Sequence, residues 1–240
     1  MPNITISLSL TFTTPPSVGA GGVSGTLADK VVTRNARNQF IIPASQVKGK
    51  LRHACEQLLR AQGVPLCYPP HAERMCPQID KDDGGNSLPQ VKGQPCCLLC
   101  QIFGSSGYPS RLRFHDLLVK DANLLPEETL RWMISINRRR RTAEAQRLFV
   151  VETAPHFDKL QFENAEAITG RISDERHVHL LFAGLRMLFA WGGGTSHGLG
   201  WGKVEATAHL GEVEVSKFDK EALLRLCEEV KALCQSFKSL

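Results

Sequence analysis

Hydrophobic and polar residues alternate strictly at the start of the chain. Apolar side chains occupy every second position from Ile4 to Phe12, and serine or threonine fills the positions between them. A period of two is typical of a strand with one buried and one polar face. The pattern therefore predicts a half-buried antiparallel β-strand over this segment.

Three later segments carry apolar residues at helical spacings of three and four. The first begins near Ser45, which we take as its N-cap, and ends near Gly63. The second runs from Val178 to Phe189, and Asp219 caps the third. Lys203 to Leu210 then reads as a strand, so the chain mixes helices with strands.

A glycine-rich loop joins the second helix to that strand. Between Trp191 and Val204, six of fourteen residues are glycine. Glycine is favoured where φ is positive or where another backbone, such as a phosphate chain, comes close. A mobile structural turn is the alternative, whereas a nucleotide-binding fingerprint fits poorly because its glycines leave a strand and open a helix. Four residues supply hydrogen-bond donors for a ligand: Thr195, Ser196, His197 and Lys203.

Cysteines are concentrated in one segment. Five of the eight lie between Cys67 and Cys100, in a stretch rich in proline and glycine. Such clustering suits a metal site in a reducing compartment better than scattered disulfides. We therefore treat 64–100 as a cysteine-rich insertion.

The spacing of these cysteines predicts a structural zinc site. Cys97 and Cys100 form a C-x-x-C knuckle, and Cys67 with Cys76 can supply the second half of a tetrahedral set. A closed set of four thiolates would fold the insertion rather than bind substrate. Cys96 or His71 could replace one ligand, and a redox C-x-x-C is the rival interpretation.

Positive charge is unevenly distributed. The formal net charge is +5 over 240 residues, a length that suits one large domain, yet Arg138 to Arg141 are consecutive. Adjacent arginines repel one another unless an anion neutralises them, which favours a phosphate-rich partner over a merely solvated surface. Further basic groups open the first helix and line a predicted strand: Lys48, Lys50, Arg52, Arg111 and Arg113.

The sequence shows neither a signal peptide nor an apolar run long enough to cross a membrane. We therefore expect a cytoplasmic protein without a membrane partner.

Five motifs resemble those of the RAMP proteins of CRISPR systems and follow one another in the same order as in that family. Residues 42–52 resemble the signature Ile-Pro-Gly-Ser-Ser-x-Lys-Gly-x-x-Arg, although Ala44 and Gln46 replace the usual glycine and serine. The other matches lie at 97–105, 111–116, 141–152 and 192–203. The repeated backbone subunit of type III effector complexes is the nearest kind of member, and the cysteine-rich insertion points to subtype D.

This resemblance implies an α+β fold over 1–240, a single RAMP domain. Its core would be ferredoxin-like, related to the RNA-recognition motif, with a zinc-binding insertion at 64–100 and a basic thumb at approximately 137–165. Copies or paralogues of such a subunit stack along a CRISPR guide RNA that pairs with target RNA. The implied guide contacts are Lys48, Lys50, Arg52, Arg111, Arg138, Arg139, Arg140, Arg141, Ser196, His197 and Lys203.

The resemblance also implies a catalytic residue. In active members a loop aspartate before the Ile-Pro-Gly-Ser stretch cuts target RNA with a divalent metal, and Asp29 occupies the corresponding place. Magnesium or manganese would stabilise charge on the phosphate while the neighbouring ribose 2′-hydroxyl attacks.

Three alternatives stay open at this point. The same scaffold could bind RNA without cutting it, leaving another subunit to cleave the target. A guide-processing RAMP endonuclease would instead use histidines, for which the candidates are His53, His115, His177, His179 and His197. A zinc hydrolase fits poorly, since no three-ligand set with a nearby base is visible.

Overall fold

The main sheet is built around the strand that the alternating pattern predicts. The computed structural model describes residues 1–19, 28–82, 84–91, 93–120, 128–155, 160–215 and 218–236. Strand β1 (Asn3–Phe12) pairs antiparallel with β9 (Leu160–Arg171) on one side and with β10 (Gly202–Leu210) on the other. Its apolar residues are buried and most of the polar residues between them are half-buried, so the predicted strand is confirmed.

Shorter strands widen this sheet at both edges. The strand order is β11-β10-β1-β9-β6-β2, and β5 also pairs with β9. All of these pairings are antiparallel. The short strands are β2 (Ile41–Ile42), β5 (Leu112–Phe114), β6 (Leu117–Val119) and β11 (Val213–Val215).

Helices share one hydrophobic core with β1. Helix α1 (Ala44–Ala61) packs against α2 (Leu98–Phe103) and α3 (His177–Arg186), and α3 packs against α4 (Lys220–Ser236). In the described part of the chain, no helix has the length and apolarity needed to cross a bilayer.

The two predicted helix caps have different outcomes. Asp219 is confirmed, since its carboxylate accepts hydrogen bonds from the N–H groups of Glu221 and Ala222. The prediction of Ser45 is wrong, because the helix already begins at Ala44 and its N-cap residue is Pro43. The Ala44 N–H instead donates to Asp116 Oδ1 at 2.7 Å, so a carboxylate from the β5–β6 connection caps the helix.

Taken in chain order, β1, α1, the β5–β6 edge, β9, α3 and β10 follow the pattern β-α-β-β-α-β. This order is compatible with a ferredoxin-like core. The expected mixture of helices with an antiparallel sheet is thus confirmed.

Two hairpins lie outside the main sheet. Strands β7 (Thr129–Asn137) and β8 (Thr142–Thr153) form a long, largely exposed hairpin, which we call the basic hairpin. The range 137–165 estimated for the thumb therefore begins inside this hairpin and ends on β9 of the main sheet. A much smaller hairpin in the cysteine-rich segment joins β3 (Gln90–Val91) to β4 (Gln94–Pro95).

Candidate functional site

Four cysteines from three separate positions of the cysteine-rich segment meet beside helix α1. The sulfurs of Cys67, Cys76, Cys97 and Cys100 all lie within 4.8 Å of one another, and all four residues are buried. Cys67 Sγ is 3.6 Å from Cys97 Sγ and 3.6 Å from Cys100 Sγ. Zinc with Zn–S bonds of about 2.3 Å in a tetrahedron separates its sulfurs by about 3.8 Å. The group therefore fits a structural zinc ion.

Hydrogen bonds within this group favour a thiolate on Cys67. Hydrogen bonds from Cys100, Cys76 and Cys97 stabilise a thiolate on Cys67 and hold its pKa below the ordinary value of a thiol. The Cys97 N–H also donates to Cys76 Sγ at 3.3 Å. Sulfur that accepts hydrogen bonds carries negative charge more easily, and the thiolate is the form that binds metal.

Neither alternative ligand belongs to this group. The Cys96 sulfur lies 3.9 Å from the Cys97 carbonyl, and burial raises the pKa of its thiol to about 12. His71 is exposed on the loop before Cys76. The structure thus favours the predicted set of four ligands, in which Cys67 and Cys76 form one half and Cys97 and Cys100 the other.

Arg52 faces the cysteine group. Its Nη1 donates to the Gly104 carbonyl at 2.9 Å, and its Nη2 lies 3.6 Å from Cys100 Sγ. A partner that hydrogen-bonds a metal ligand orients it and tunes its charge. The structure therefore gives Arg52 a contact that its predicted role in RNA binding does not require.

We expect Arg52→Gln to lower zinc affinity about ten-fold, because Cys100 loses a charged hydrogen-bond donor. Competition between the full chain and a chromophoric chelator measures that affinity. Lys50→Gln is the matched control, since it removes the same charge from the same helix. Equal zinc affinities for the two variants would show that the Arg52 contact is irrelevant to the metal.

The basic start of α1 is only partly open to an anion. Its first N–H donates to the carboxylate of Asp116. Lys48 Nζ lies 5.8 Å from the Phe114 ring centre, and burial, followed by the charge of Arg52, lowers its pKa. Burial also lowers the pKa of Lys50.

Gly49 is the open point on this helix. A side chain there would meet nothing within 4 Å, so packing within the described chain does not require glycine. Glycine inside a helix costs about 0.5–1 kcal/mol relative to alanine. A glycine at this position leaves room for the close approach of a ligand backbone.

Asp29 is fastened to the base of the basic hairpin. Its N–H donates to the Val150 carbonyl at 3.0 Å, and its Oδ2 accepts the Val150 N–H at 2.7 Å. The next residue, Lys30, accepts a hydrogen bond from the Glu152 N–H at 2.9 Å through its carbonyl. The side chain of Asp29 is exposed, so one edge of its carboxylate is held while the residue stays accessible.

Glu152 binds the segment that follows Asp29, a role that was not predicted from the sequence. Its carboxylate is buried, accepts the Val32 N–H at 3.2 Å and pairs with Arg34 at 3.0 Å. Arg34 also pairs with Glu128 at 2.6 Å. The sequence did carry a signal for this role, a glutamate near the end of an apolar strand. A carboxylate that is buried there needs a partner.

The tip of the basic hairpin presents the four consecutive arginines. Arg138 to Arg141 form the turn and are exposed, and within the described residues none of them forms an ion pair. Asn137 Oδ1 accepts the N–H groups of Arg139 and Arg140 and thereby shapes the turn. Exposed apolar side chains also cover this hairpin: Trp132, Ile134, Ile136 and Leu148.

The glycine-rich loop is held by the chain's own backbone. At Gly192 (φ 79°) an added Cβ would lie 2.3 Å from the Ser17 carbonyl oxygen, and at Gly200 (φ 69°) it would lie 1.9 Å from that of Trp191. These two glycines therefore serve a structural turn. Ser196, His197 and Lys203 are exposed on or beside it.

Ser17 links this loop to the hairpin base. Its carbonyl accepts the Gly193 N–H at 2.7 Å, while its hydroxyl donates to the Glu152 carbonyl at 2.9 Å. The structure thus brings Asp29, the base of the basic hairpin and the glycine-rich loop into one region. Arg111 is not part of it, because it lies just before β5 near the end of β9.

The open face of the main sheet is a poor RNA-stacking platform. Glu163 and Glu205 stand opposite Ser9 on the two neighbouring strands. The RNA-recognition motif stacks bases on aromatic residues of its sheet. Carboxylates in the middle of this face would repel phosphates, so basic groups away from the middle of the face make the better interface.

The fold and these sites define an α+β protein with an antiparallel sheet, a buried group of four cysteines and an exposed basic hairpin. The chain belongs to the RAMP superfamily, whose family profile matches residues 9–205. It is also 32% identical over 112 residues to the CRISPR system Cms endoribonuclease Csm3 of Methanocaldococcus jannaschii. That match covers 45% of this chain and 38% of the relative. The resemblance to a backbone subunit of type III complexes agrees with both findings.

Proposed function

We propose that this protein is a backbone subunit of a type III CRISPR effector complex, of the subtype D branch, that binds guide RNA and cleaves complementary target RNA. The observation that carries the proposal is the attachment of Asp29 to the base of the basic hairpin, through Val150. A hairpin that enters the guide–target duplex would bring this carboxylate to the target backbone. The relative's name, an endoribonuclease of a CRISPR system, supports the same activity.

The basic residues would hold the guide by its phosphates. Lys48 and Lys50 flank the open Gly49, the hairpin arginines reach outward, and the glycine-rich loop adds hydroxyl and ammonium donors. Contacts to phosphates position an RNA without reading its sequence. Pairing with the guide supplies the specificity, and further RAMP subunits, copies or paralogues, would continue the same path.

Asp29 would take part in metal-assisted cleavage. Magnesium or manganese, when bound, would stabilise the charge on the scissile phosphate. Magnesium is commonly held by one or two carboxylates together with substrate phosphates and waters, so a single accessible carboxylate fits such an ion. The target 2′-hydroxyl attacks the adjacent phosphorus, the 5′-oxygen leaves, and a 2′,3′-cyclic phosphate remains.

Zinc would have a structural role. Cys67, Cys76, Cys97 and Cys100 would fill all four positions of a tetrahedral ion, which leaves no position for water or substrate. This arrangement argues against a zinc hydrolase. It suits a metal that holds the cysteine-rich segment against α1.

A scaffold that binds RNA without cutting is the second candidate. Among the described residues, the one group of three or more metal-ligating side chains is the cysteine group, which does not include Asp29. A cleavage site would therefore be completed by RNA and water. The rate of target cleavage by an Asp29→Asn variant separates the two candidates.

Guide processing by histidines has weaker support. His177 is buried, and burial lowers its pKa to about 4, so it is neutral near pH 7. His179 Nδ1 accepts the N–H of Asp219 at 3.2 Å. Two of the candidate histidines are therefore engaged in the fold.

RNA binding itself is tested at the hairpin tip. We expect the triple change of Arg138, Arg139 and Arg140 to glutamine to weaken binding of a fluorescent guide RNA about ten-fold or more. The slope of log affinity against log salt should fall by about 0.7 for each lost phosphate contact. Anisotropy titrations at several salt concentrations measure both quantities.

The matched control removes three charges from α4, by changing Lys220, Arg225 and Lys231 to glutamine. It should retain most of the affinity, because long-range attraction is screened beyond about 10 Å in ordinary buffer. Equal losses in the two triple variants would mean that net charge, and not the hairpin, attracts RNA. No binding by the wild-type protein, alone or assembled, would refute the proposed function.

A further inference from the structure

A second basic site lies at the edge of the main sheet where β5 meets the end of β9. Arg111, Arg113 and Arg171 line one cleft there, together with Asn3 and Thr169. The cleft has a volume of about 580 Å³. Sites for small molecules commonly occupy about 300–1,000 Å³, so a phosphate with its sugar can enter.

The cleft is built by close backbone packing. Arg113 pairs in register with Thr169, and the Arg171 N–H donates to the Arg111 carbonyl at 3.2 Å. Gly170 lies between them with φ 149°, and an added Cβ would be 2.2 Å from the Arg111 carbonyl oxygen. Only a residue without a side chain lets the two strands approach this closely. The backbone that carries the arginines is therefore held in one position.

Among the described residues, the guanidinium groups in this cleft have no negatively charged partner. Arg111 Nη1 contacts Met1 Sδ at 3.2 Å, and Arg171 Nε donates to Asn3 Oδ1 at 3.3 Å. Both partners are neutral, and none of the three arginines forms an ion pair with another described residue. Three like charges lining one cleft repel one another, and a bound anion would relieve that repulsion.

The location favours a nucleic-acid phosphate as that anion. Arg113 is adjacent to Phe114, whose ring lies 5.8 Å from Lys48 Nζ at the basic start of α1. Successive side chains of a strand point to opposite faces. Strand β5 therefore carries the cleft on one face and contacts the basic start of α1 with the other. Arginine binds phosphate oxygens through two parallel N–H donors, which suits a site built from guanidinium groups.

We infer that Arg111, Arg113 and Arg171 form a phosphate-binding pocket that holds the RNA backbone beyond the start of α1. The RNA part of this inference rests on the proposed function, whereas binding of phosphate does not. Of these three residues, only Arg111 was predicted from the sequence to contact RNA.

The pocket is tested first with inorganic phosphate and the full chain. A ligand that binds the folded state raises the unfolding temperature. We expect phosphate to raise it relative to chloride at equal ionic strength. The variant Arg113→Gln with Arg171→Gln should lose that rise, whereas Lys220→Gln with Arg225→Gln, an equal loss of charge on α4, should keep it. The same phosphate effect in both double variants would overturn the pocket.

The RNA role is tested with the same two double variants. Loss of one phosphate contact should lower the salt slope of RNA affinity by about 0.7 and weaken binding several-fold, equally for 5′-phosphorylated and 5′-hydroxyl RNA. An effect confined to 5′-phosphorylated RNA, or a slope equal to that of the α4 control, would overturn a backbone contact here. Wild-type protein that binds no RNA would refute the proposed function, while the phosphate measurement would still decide the pocket.

Discussion

Asp29→Asn is expected to slow target RNA cleavage by about 100-fold or more while leaving RNA binding unchanged. The amide oxygen of asparagine can still accept the Val150 N–H, which the carboxylate accepts at 2.7 Å. The attachment to the hairpin base is thus preserved, and only the charge that would hold a divalent metal is lost. Single-turnover cleavage of a labelled complementary RNA by the guide-loaded complex in magnesium measures the effect.

Glu205→Gln serves as the matched control for this experiment. It neutralises an exposed carboxylate on the open face of the sheet, away from the hairpin base. Its cleavage rate should equal that of the wild type. If the Asp29 variant also cleaves at the wild-type rate, the protein is a scaffold and another subunit cuts the target. Regularly spaced products that disappear in the Asp29 variant alone would assign the cutting to this chain.

Removal of zinc is expected to unfold the cysteine-rich segment. Binding of structural zinc contributes about 10–16 kcal/mol near pH 7 to the stability of the folded state. This contribution is lost when the metal is removed. Cys97→Ser should abolish stoichiometric zinc and lower the unfolding temperature markedly. Faster hydrogen exchange from Cys67 to Phe103 should accompany both changes, with β1 remaining protected. Metal analysis and exchange mass spectrometry check these outcomes.

Cys96→Ser separates loss of metal from loss of a buried thiol. Cys96 is as buried as its neighbour but lies outside the group of four. It should retain zinc and show wild-type exchange in the segment. Equal zinc loss in the two variants would overturn the assignment of the ligands.

Zinc affinity should also fall as the pH is lowered. The metal binds thiolates, so protons compete for the same sulfurs, and each ligand that is protonated in the free protein adds to the pH dependence. The Cys67 pKa is already depressed by hydrogen bonds from Cys100, Cys76 and Cys97. That sulfur should therefore contribute less to the dependence than an ordinary thiol.

Much of the fold follows from local pattern. The alternation in β1, the helical spacing in α1 and α3, and the cap at Asp219 each depend on residues close in sequence. Backbone geometry converts such spacing directly into a buried face. The prediction of Ser45 as N-cap was wrong because the first N–H of the helix, that of Ala44, donates to Asp116, on a distant part of the chain.

The candidate site was only partly predictable for the same reason. Four of the cysteines could be chosen by their spacing, yet exclusion of Cys96 depends on where its sulfur lies in the fold. Arg52 occupies a motif associated with RNA, but its contacts with Cys100 and Gly104 appear only once α2 has packed beside α1. The contacts made by Glu152 likewise join segments that no local pattern relates.

By itself the sequence determined strand β1, the helical segments α1, α3 and α4, the zinc-type cysteine spacing and the family, because each depends on short-range patterns or motifs. The tertiary structure alone decided that Asp29 sits on the hairpin base and that Arg113 and Arg171 share a cleft. These are contacts between strands far apart in the chain. Their geometry depends on sheet register and close backbone packing, as at Gly170, and neither is encoded in the spacing of neighbouring residues.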